Sequence, residues 1–462
     1  MKSLSLSLLL LLGSSCVALA GEVIVPVSSQ VDVNVTIYNE GRALIKDERE
    51  VSLSMGENTL AFQGVSANMM PQTALLKGNG LFTKEQNFNY DLLTKEALLK
   101  KSVGHQVTTE YIDPVTGKAQ RGIATLLAYN DKPVLKIGNK IETDYPGRIV
   151  FDSVPADLRA EPTLSVVVES DKQTQETVEL DYLTQGLSWK ADYVAKLNED
   201  ETKMALNAFV TLQNHSGAAY KNALLQLVAG DVNVAREPEP KVRFYTRTAA
   251  MDYAVAPANM TAESLSDFYI YTVPHKTDLL SNQTKQVALF SVDDVGVTKT
   301  YEFNRPFTVS ATEKKEMKPA VYVSFENTTL NHLGKPLPKG IVRFYKEDAG
   351  RNMQFVGEDT VPHKAENEVV RLRLGEAFNV SADMKRTQVH SVSDTLKNAA
   401  YEVVFKNGGA KDVTVQLMLD FPDNFKLLSE TVKSEKVTSN TLKWLVVVPA
   451  KGKAVLEYKV QY

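Results

Sequence analysis

Cysteine is almost missing from this sequence. The single cysteine among 462 residues, Cys16, lies in an apolar leader, so the rest of the chain offers neither disulfides nor thiolate chemistry. Neither sign of charge dominates: the formal net charge of −4 at pH 7 is too small to indicate a nucleic-acid partner. The six histidines are scattered, without a His-x-His pair or a His-Glu-x-x-His motif. We therefore expect no metal site and no cofactor.

Long apolar runs are also absent, apart from the beginning of the chain. Lys2 precedes a Leu/Ser-rich stretch at 4–12, and the small-x-small sequence Ala18-Leu19-Ala20 follows it. This pattern predicts a secretory signal peptide over residues 1–20. The apolar run is about half of the roughly 20 residues that a membrane-spanning helix needs, so we expect no transmembrane segment in the mature chain. A lipid-anchored Cys16 is the alternative, but Gly13 stands where a lipoprotein signal has leucine.

The composition is that of an exported globular protein. Hydrophobic residues make up 43% of the chain and charged residues 23%, which is ordinary for packed domains. A cysteine-free exported chain is typical of the bacterial envelope, because extracellular animal domains more often carry disulfides. We therefore predict a periplasmic, cell-surface or secreted location in a bacterium.

Alternating strands and turns dominate the sequence after the leader. Val31–Tyr38, followed by Asn-Glu-Gly and a return strand, predicts a β-hairpin. Only Asn87–Val103 has apolar residues at helical spacing. The sequence predicts a mainly β protein of several immunoglobulin-like β-sandwich modules, with a small β-barrel-like insert and one short helix. The expected units are an N-terminal β domain at 21–85, the helix at 86–104, the barrel-like domain at 105–158, a first sandwich part at 159–317 with a loop at 246–267, and a second sandwich part at 318–462.

One strand pattern occurs four times. Each copy alternates and ends in an asparagine: Val33–Asn39, Phe209–Asn214, Val321–Asn327 and Tyr401–Asn407. In β-sandwiches such an asparagine side chain can cap the reversal of the chain after the strand. The repetition favours several sandwich modules over one large sheet.

The most informative segment of the chain begins at Gly186. Its apolar residues alternate with polar ones: Leu187, Trp189, Ala191, Tyr193, Ala195 and Leu197. A period of two predicts a half-buried strand with Trp189 and Tyr193 on the core face. On the polar face, Lys190 and Asp192 are expected to form an exposed pair of little energetic weight. Two further segments follow: Asn-His-Ser-Gly at 214–217 and Leu-Val-Ala-Gly-Asp at 227–231.

Together these segments resemble the mucoidy-inhibitor A-like family of exported bacterial proteins, which have a C-terminal domain of unknown function. The resemblance covers about 175–462, and the long coiled coil of many relatives is missing, so this chain looks like a short form. The resemblance implies an effect on capsule or exopolysaccharide production, and it implies no catalytic residues. It marks a set of signature residues that we expect to be structural: Trp189, Asp192, Tyr193, Asn214, Gly217 and Asp231.

No enzymatic motif is evident in the sequence. His215 and Ser216 are adjacent and could form a triad with an acid, but their position after a strand favours a solvated turn. Asp293 and Asp294 could share a proton or bind a cation, but they lack the spaced oxygen ligands of a calcium loop. Two carboxylates brought together from distant strands would make a glycosidase, so an envelope glycan or peptide hydrolase is kept as an alternative.

A basic segment supplies the candidate binding residues: Arg236, Lys241, Arg243 and Arg247. Such a stripe could hold an acidic polysaccharide, or it could protect the edge of a sheet from aggregation. The favoured function is a non-catalytic binding protein of the envelope, whose partner is an acidic polysaccharide or an envelope protein.

The end of the chain allows one more reading. Alternating residues from Ala454 to Tyr462 predict a last sandwich strand with these side chains facing inward. The terminal aromatic residue also resembles the end of an outer-membrane barrel, which makes an outer-membrane-associated β-protein a further alternative.

Overall fold

A computed structural model describes residues 22–155, 158–230, 260–307, 315–394 and 396–462. Strands account for 64% of the structure and helices for 4%, which confirms the mainly β prediction. The strands before residue 155 are β1 (Val23–Val25), β2 (Gln30–Tyr38), β3 (Arg42–Leu53), β4 (Gly56–Gln63), β5 (Leu75–Lys77), β6 (Leu81–Asn89), β7 (Gln106–Ile112), β8 (Ala119–Tyr129), β9 (Pro133–Ile137), β10 (Lys140–Glu142) and β11 (Arg148–Val150).

The remaining strands follow in two groups. Those before residue 307 are β12 (Thr163–Ser170), β13 (Thr174–Gln185), β14 (Leu187–Leu197), β15 (Lys203–Asn214), β16 (Tyr220–Ala229), β17 (Thr261–Leu265), β18 (Phe268–Thr272), β19 (Thr277–Leu279), β20 (Gln283–Gly296) and β21 (Thr298–Pro306). Those after it are β22 (Lys315–Met317), β23 (Ala320–Glu326), β24 (Gly340–Glu347), β25 (Met353–Val361), β26 (Val369–Glu376), β27 (Val380–Ser391), β28 (Lys397–Asn407), β29 (Val413–Asp420), β30 (Lys426–Glu430), β31 (Glu435–Lys436), β32 (Thr441–Val448) and β33 (Lys453–Gln461).

The described residues contain one α-helix, α1 (Lys95–Lys101), and it is shorter than the helix expected over Asn87–Val103. Thr94 caps it, since its side-chain oxygen accepts a hydrogen bond from the Ala97 amide at 3.1 Å. The first residues of the expected helix belong instead to β6, which pairs with β12. The prediction was wrong there because Phe88 packs against the sandwich core, and tertiary burial overrides local spacing.

A small five-stranded sheet, sheet II, occupies the region expected to be barrel-like. Its strand order is β10-β9-β8-β7-β11, and its edge strands β10 and β11 are not paired with each other. The sheet is therefore open, which corrects the prediction of a barrel-like unit. Its core is formed by five buried residues: Leu99, Val107, Ala124, Leu126 and Leu135. Because Leu99 comes from α1, the helix rather than barrel closure covers the apolar face.

Three other sheets enclose the first core. Sheet I has the order β1-β4-β12-β6, sheet III the order β17-β18-β16-β2-β3-β13-β5 with β19 also on β16, and sheet IV the order β20-β15-β14-β24-β25. One continuous cluster of buried side chains joins them, for example Phe62 of sheet I, Ile45 of sheet III and Phe344 of sheet IV. Face-to-face packing of sheets over such a core is the expected sandwich architecture.

The predicted domain limits at residues 85 and 317 do not separate these sheets. β2 pairs in parallel with β16, so Asn34 lies opposite Leu224. β14 pairs in parallel with β24, so Ala191 lies opposite Gly340. A side chain at Gly340 would come within 2.2 Å of the Ala191 carbonyl oxygen, which explains glycine at this close approach. Of the expected loop at 246–267, residues 246–259 lie outside the described residues, and the described end contains β17.

A second sandwich is built from the C-terminal part of the chain. Sheet V has the order β26-β23-β21-β29-β32-β31, and sheet VI has the order β22-β27-β28-β33-β30. Their shared core includes Trp444, Tyr401 and Tyr458. Leu456, Tyr458 and Val460 of β33 are buried there, which confirms a final sandwich strand. Among the described residues, no helix has the length and apolar character needed to span a membrane.

Candidate ligand-binding cleft

The two aromatic residues of the signature strand β14 lie in the core, as predicted. Trp189 packs edge-to-face against Tyr271, with ring centroids 6.4 Å apart. Tyr193 packs against Phe290 at the same centroid distance and donates a hydrogen bond of 2.6 Å to the Pro338 carbonyl. These contacts fix β18, β20 and the 334–338 segment against the signature strand.

Asparagines at strand ends cap chain reversals at three of the four predicted positions. Asn214 donates to the carbonyls of Ala218, Leu279 and Leu280, and Asn407 donates to those of Lys411, Val448 and Pro449. Asn327 plays the same role for two loops, the one that follows β23 and the one that precedes β26. All three are buried. The fourth, Asn39, is half-buried. Among the described residues, its side chain has a single hydrogen-bond contact, with the His363 ring at 3.4 Å.

Gly217, another signature residue, has a backbone role. Its φ of 84° lies in the left-handed region, and a side chain there would come within 2.5 Å of Ala67. Chain geometry thus accounts for asparagine at position 214 and glycine at position 217.

Asp192 does not form the exposed pair with Lys190 that alternation suggested. It is buried, and its carboxylate accepts hydrogen bonds from Thr211 at 2.7 Å and Arg343 at 3.0 Å. Arg343 also contacts Glu358 at 3.2 Å. The prediction was wrong because it considered β14 alone, whereas the neighbouring strand β24 covers Asp192 with an arginine.

The adjacent His215 and Ser216 have separate surroundings. Ser216 is fully buried, and its hydroxyl donates to the Asn214 side chain at 2.7 Å. His215 is exposed, with its Nδ1 3.5 Å from Asn282 Oδ1. A substrate has no access to the Ser216 hydroxyl. The exposed His215 matches the expected solvated turn, whereas Ser216 is buried.

The two adjacent acids, Asp293 and Asp294, are exposed, and Asp294 lies 3.3 Å from Lys203. Over the part of the chain that the structure describes, no three His, Cys, Asp or Glu side chains are grouped so that they could hold a metal ion. Several sequence-predicted residues lie outside the described residues: Cys16, Asp231, Arg236, Lys241, Arg243 and Arg247.

A cleft of about 500 Å³ lies where sheets III and IV meet beside the 334–336 loop. We call it the edge cleft, because one wall is β17, the exposed edge strand of sheet III. Its lining residues are Met260, Thr261, Ala262, Ser264, Tyr269, Tyr271, Leu289, Phe290, Gly334, Lys335, Pro336 and Glu366. Aromatic and aliphatic side chains with a few polar groups at the rim are typical of ligand-binding sites.

The edge cleft is held by the structural residues described above. The Tyr271 hydroxyl donates to the Pro336 carbonyl at 3.0 Å, and burial raises the pKa of this phenol, so it stays protonated as a donor. Asn327 donates to the carbonyls of Lys335 at 2.7 Å and Ala365 at 2.8 Å. Because Lys335 and Glu366 both line the cleft, Asn327 holds the backbone at or next to both charged residues.

The lining of the edge cleft is suited to binding. Hydroxyl groups come from Thr261, Ser264 and Tyr269. Met260 and the Tyr269 ring are partly exposed, whereas Tyr271 and Phe290 are almost fully buried. Glu366 is the one carboxylate among the described lining residues. A glycosidase of the usual kind needs two carboxylates facing each other across the cleft. The arrangement therefore provides contact surface and hydrogen bonds.

Sequence reasoning missed this cleft because its residues come from four separate segments. The available signal was the aromatic run Phe-Tyr-Ile-Tyr at 268–271, which directly follows a two-residue turn. Aromatic alternation alone predicts a core strand. Tyr269 and Tyr271 line a cleft because residues 289–290 and 334–336 lie beside them in space.

Comparison with known families gives one match. The model of the family described as domain of unknown function DUF4139 matches residues 178–462. The matched range begins in β13 and contains every residue that lines the edge cleft. No curated protein matches the chain.

Proposed function

Since the chain belongs to the DUF4139 family, whose description assigns no activity, we propose from the geometry of the edge cleft that it is a non-catalytic binding protein. The ligand is the extended part of a larger molecule, held along the exposed edge of sheet III. The observation that carries the proposal is the cleft itself: aromatic side chains, hydroxyl groups and an edge strand meet within the matched family region.

Location is a second part of the proposal. The leader over residues 1–20 supports export, and the resemblance of the signature segments to the mucoidy-inhibitor A-like family supports a role in the bacterial envelope. The ligand is accordingly an envelope polymer, either a polysaccharide or a protein. The basic residues Arg236, Lys241, Arg243 and Arg247 stay a sequence-based prediction of a surface for acidic polysaccharide.

Intrinsic fluorescence provides a direct test. The chain has two tryptophans, so Trp444→Phe leaves Trp189 as the single tryptophan, which is excited selectively beyond the absorption of tyrosine. Trp189 packs against Tyr271, which lines the edge cleft, so occupancy of the cleft should change its emission. Candidate ligands come from arrays of bacterial oligosaccharides and of ten-residue peptides probed with the full protein. Each hit is then titrated against the Trp444→Phe protein.

A matched pair of variants locates the binding. Tyr269→Ala removes a half-buried ring from the cleft and should weaken binding about tenfold, equivalent to roughly 1.4 kcal/mol. Tyr129→Ala removes a half-buried ring from sheet II and should leave affinity unchanged. Equal affinity for both variants would place the site elsewhere. Cleavage of a bound glycan or peptide would contradict the non-catalytic part and favour the hydrolase alternative.

A further inference from the structure

Within the described residues, the backbone groups on the edge of β17 that faces the cleft have no partner strand. β17 and β18 form a hairpin in which Leu265 lies opposite Phe268 across the two-residue turn Ser266-Asp267. A β-turn of this length joins a hydrogen-bonded pair, and bonding then alternates along an antiparallel ladder. The N–H and C=O groups of Ala262 and Ser264 therefore point away from β18. Among the described strands, β17 pairs with β18 alone.

One hydrogen bond shows what these free groups can do. The Met260 amide, which has the same orientation as those of Ala262 and Ser264, donates to the Leu289 carbonyl at 3.1 Å. Leu289 belongs to β20, the edge strand of sheet IV, and is the extra residue of a bulge opposite β15. In the described part of the chain, this bond is not followed by a β17–β20 ladder. The edge strands β17 and β20 share this one backbone hydrogen bond, and the cleft lies between them beyond it.

We propose, on the basis of the cleft-binding function above, that the ligand is an extended protein segment that adds to β17 as a further strand of sheet III. Its backbone pairs with Ala262 and Ser264, and one of its side chains enters the edge cleft between Tyr269, Phe290 and Pro336. Strand addition to an open sheet edge is an established mode of peptide recognition, in which the backbone gives affinity and a side-chain pocket gives specificity.

The sequence of β17 supports this mode. Thr-Ala-Glu-Ser-Leu contains no proline and no lysine, the residues that commonly protect an edge strand from pairing. All five of its residues are exposed. The edge is therefore chemically open to another strand.

Charge indicates which segment fits. Among the described residues, the exposed charged groups of the hairpin and of the cleft lining are Glu263, Asp267 and Glu366 against Lys335. The excess of acids favours a partner strand with basic side chains beside an aromatic or aliphatic anchor. An acidic polysaccharide would meet like charge at this place.

The test uses synthetic ten-residue peptides that alternate lysine with valine or phenylalanine, titrated by Trp189 fluorescence in the full-length Trp444→Phe protein. Versions with glutamate in place of lysine are the charge control. Each basic peptide is also made with N-methyl groups on every second residue, in both phases. Strand addition requires that one phase lose binding at least tenfold while the other phase keeps it, because only alternate amides face β17.

Variants of the protein give the complementary evidence. Ser264→Pro removes an outward-facing amide while the bonds to β18 are kept, since proline is tolerated on the free side of an edge strand. It should weaken the basic peptides at least tenfold, and far more than Ser264→Ala, which removes the lining hydroxyl but keeps the amide. The N-methyl peptides keep the proposal testable if Ser264→Pro fails to fold, because they leave the protein unchanged.

The possible results separate the two proposals. Peptide binding that ignores the N-methyl phase would overturn strand addition while leaving the cleft as a binding site. Oligosaccharide binding that depends on Tyr269, with no peptide binding, would also overturn strand addition and keep the cleft. Tighter binding of the glutamate peptides would overturn the charge assignment. A failure of every peptide and glycan would remove the support for both proposals.

Discussion

Asn327 and Lys335 are joined by two hydrogen bonds: the asparagine Nδ2 donates to the lysine carbonyl at 2.7 Å, and the lysine amide donates back to Oδ1 at 3.3 Å. The same Nδ2 reaches the Ala365 carbonyl, so one buried side chain holds both loops at the rim of the edge cleft. A structural residue at the end of a strand thereby determines the shape of the candidate site.

Asn327→Ala should affect both stability and binding. It leaves buried backbone groups of two loops without partners, which we expect to destabilise the protein by about 2–4 kcal/mol, measured by urea unfolding. Asn407→Ala is the matched control, because it removes an equivalent buried cap in the second sandwich. Both variants should lose similar stability, but only Asn327→Ala should weaken ligand binding in the cleft. If both variants bind the ligand equally well, the cap at Asn327 has no specific influence on the site.

The buried ion pair of Asp47 and Arg49 gives a second prediction. Arg49 Nη2 lies 2.7 Å from the carboxylate, and Nη1 donates to the carbonyls of Val25 and Gln63. Asp47→Ala leaves an uncompensated buried charge, so the free energy of unfolding should fall by about 3–5 kcal/mol. The double variant Asp47→Leu with Arg49→Met should be less destabilised than Asp47→Ala, because it leaves no buried charge unpaired. Urea unfolding followed by circular dichroism measures both, and a milder effect in the single variant would contradict this account.

Acid should weaken the contact between the two sandwiches at Glu201. Burial raises the pKa of this carboxyl, but hydrogen bonds from Lys299 and Lys346 outweigh it and hold the pKa below its usual 4.5. Since the folded pKa lies below the unfolded one, the contribution of Glu201 to stability is complete above pH 4.5 and is lost as the pH falls below that value. Thermal unfolding of Glu201→Gln should show less loss of stability than the parent protein between pH 5 and about 3. Parallel curves would show that other carboxylates account for the acid sensitivity.

His215 and Ser216 should differ in their effect on stability. Ser216→Ala removes a buried hydroxyl that bonds Asn214 and accepts from the Ala218 amide, and should destabilise the protein by about 1–3 kcal/mol. His215→Ala changes an exposed ring and should stay within about 0.5 kcal/mol of the parent. Paired thermal unfolding curves measure the difference. A hydrolytic activity lost in both variants without any change in stability would restore the triad hypothesis.

The predictable part of this fold is the part with short-range patterns. The alternation from Leu187 to Leu197 correctly placed Trp189 and Tyr193 in the core, because a period of two follows directly from strand geometry. The asparagine caps at Asn214 and Asn407 followed from their position before a reversal. The pairing of β14 with β24 was out of reach, since it joins segments far apart in sequence. For this reason the burial of Asp192 under Arg343 was missed.

The candidate site shows the same limit. The basic stripe was found by composition alone, whereas the edge cleft depends on Tyr269, Phe290 and Pro336 meeting from different segments. No single stretch of sequence carries that information, because sheet edges and bulges are set by the order of strands in the completed fold.

The parallel pairing of β2 with β16 and of β14 with β24 also governs how the molecule can be made. The first core contains side chains from Val25 to Leu372, so a nascent chain that stops at residue 317 lacks β24 and part of that core. Contacts between such distant segments form slowly, since long loops must close before any pairing stabilises them. The first core of this polypeptide is therefore complete only when the chain has been synthesised as far as Leu372, whereas the core of sheet II needs only residues 99–135.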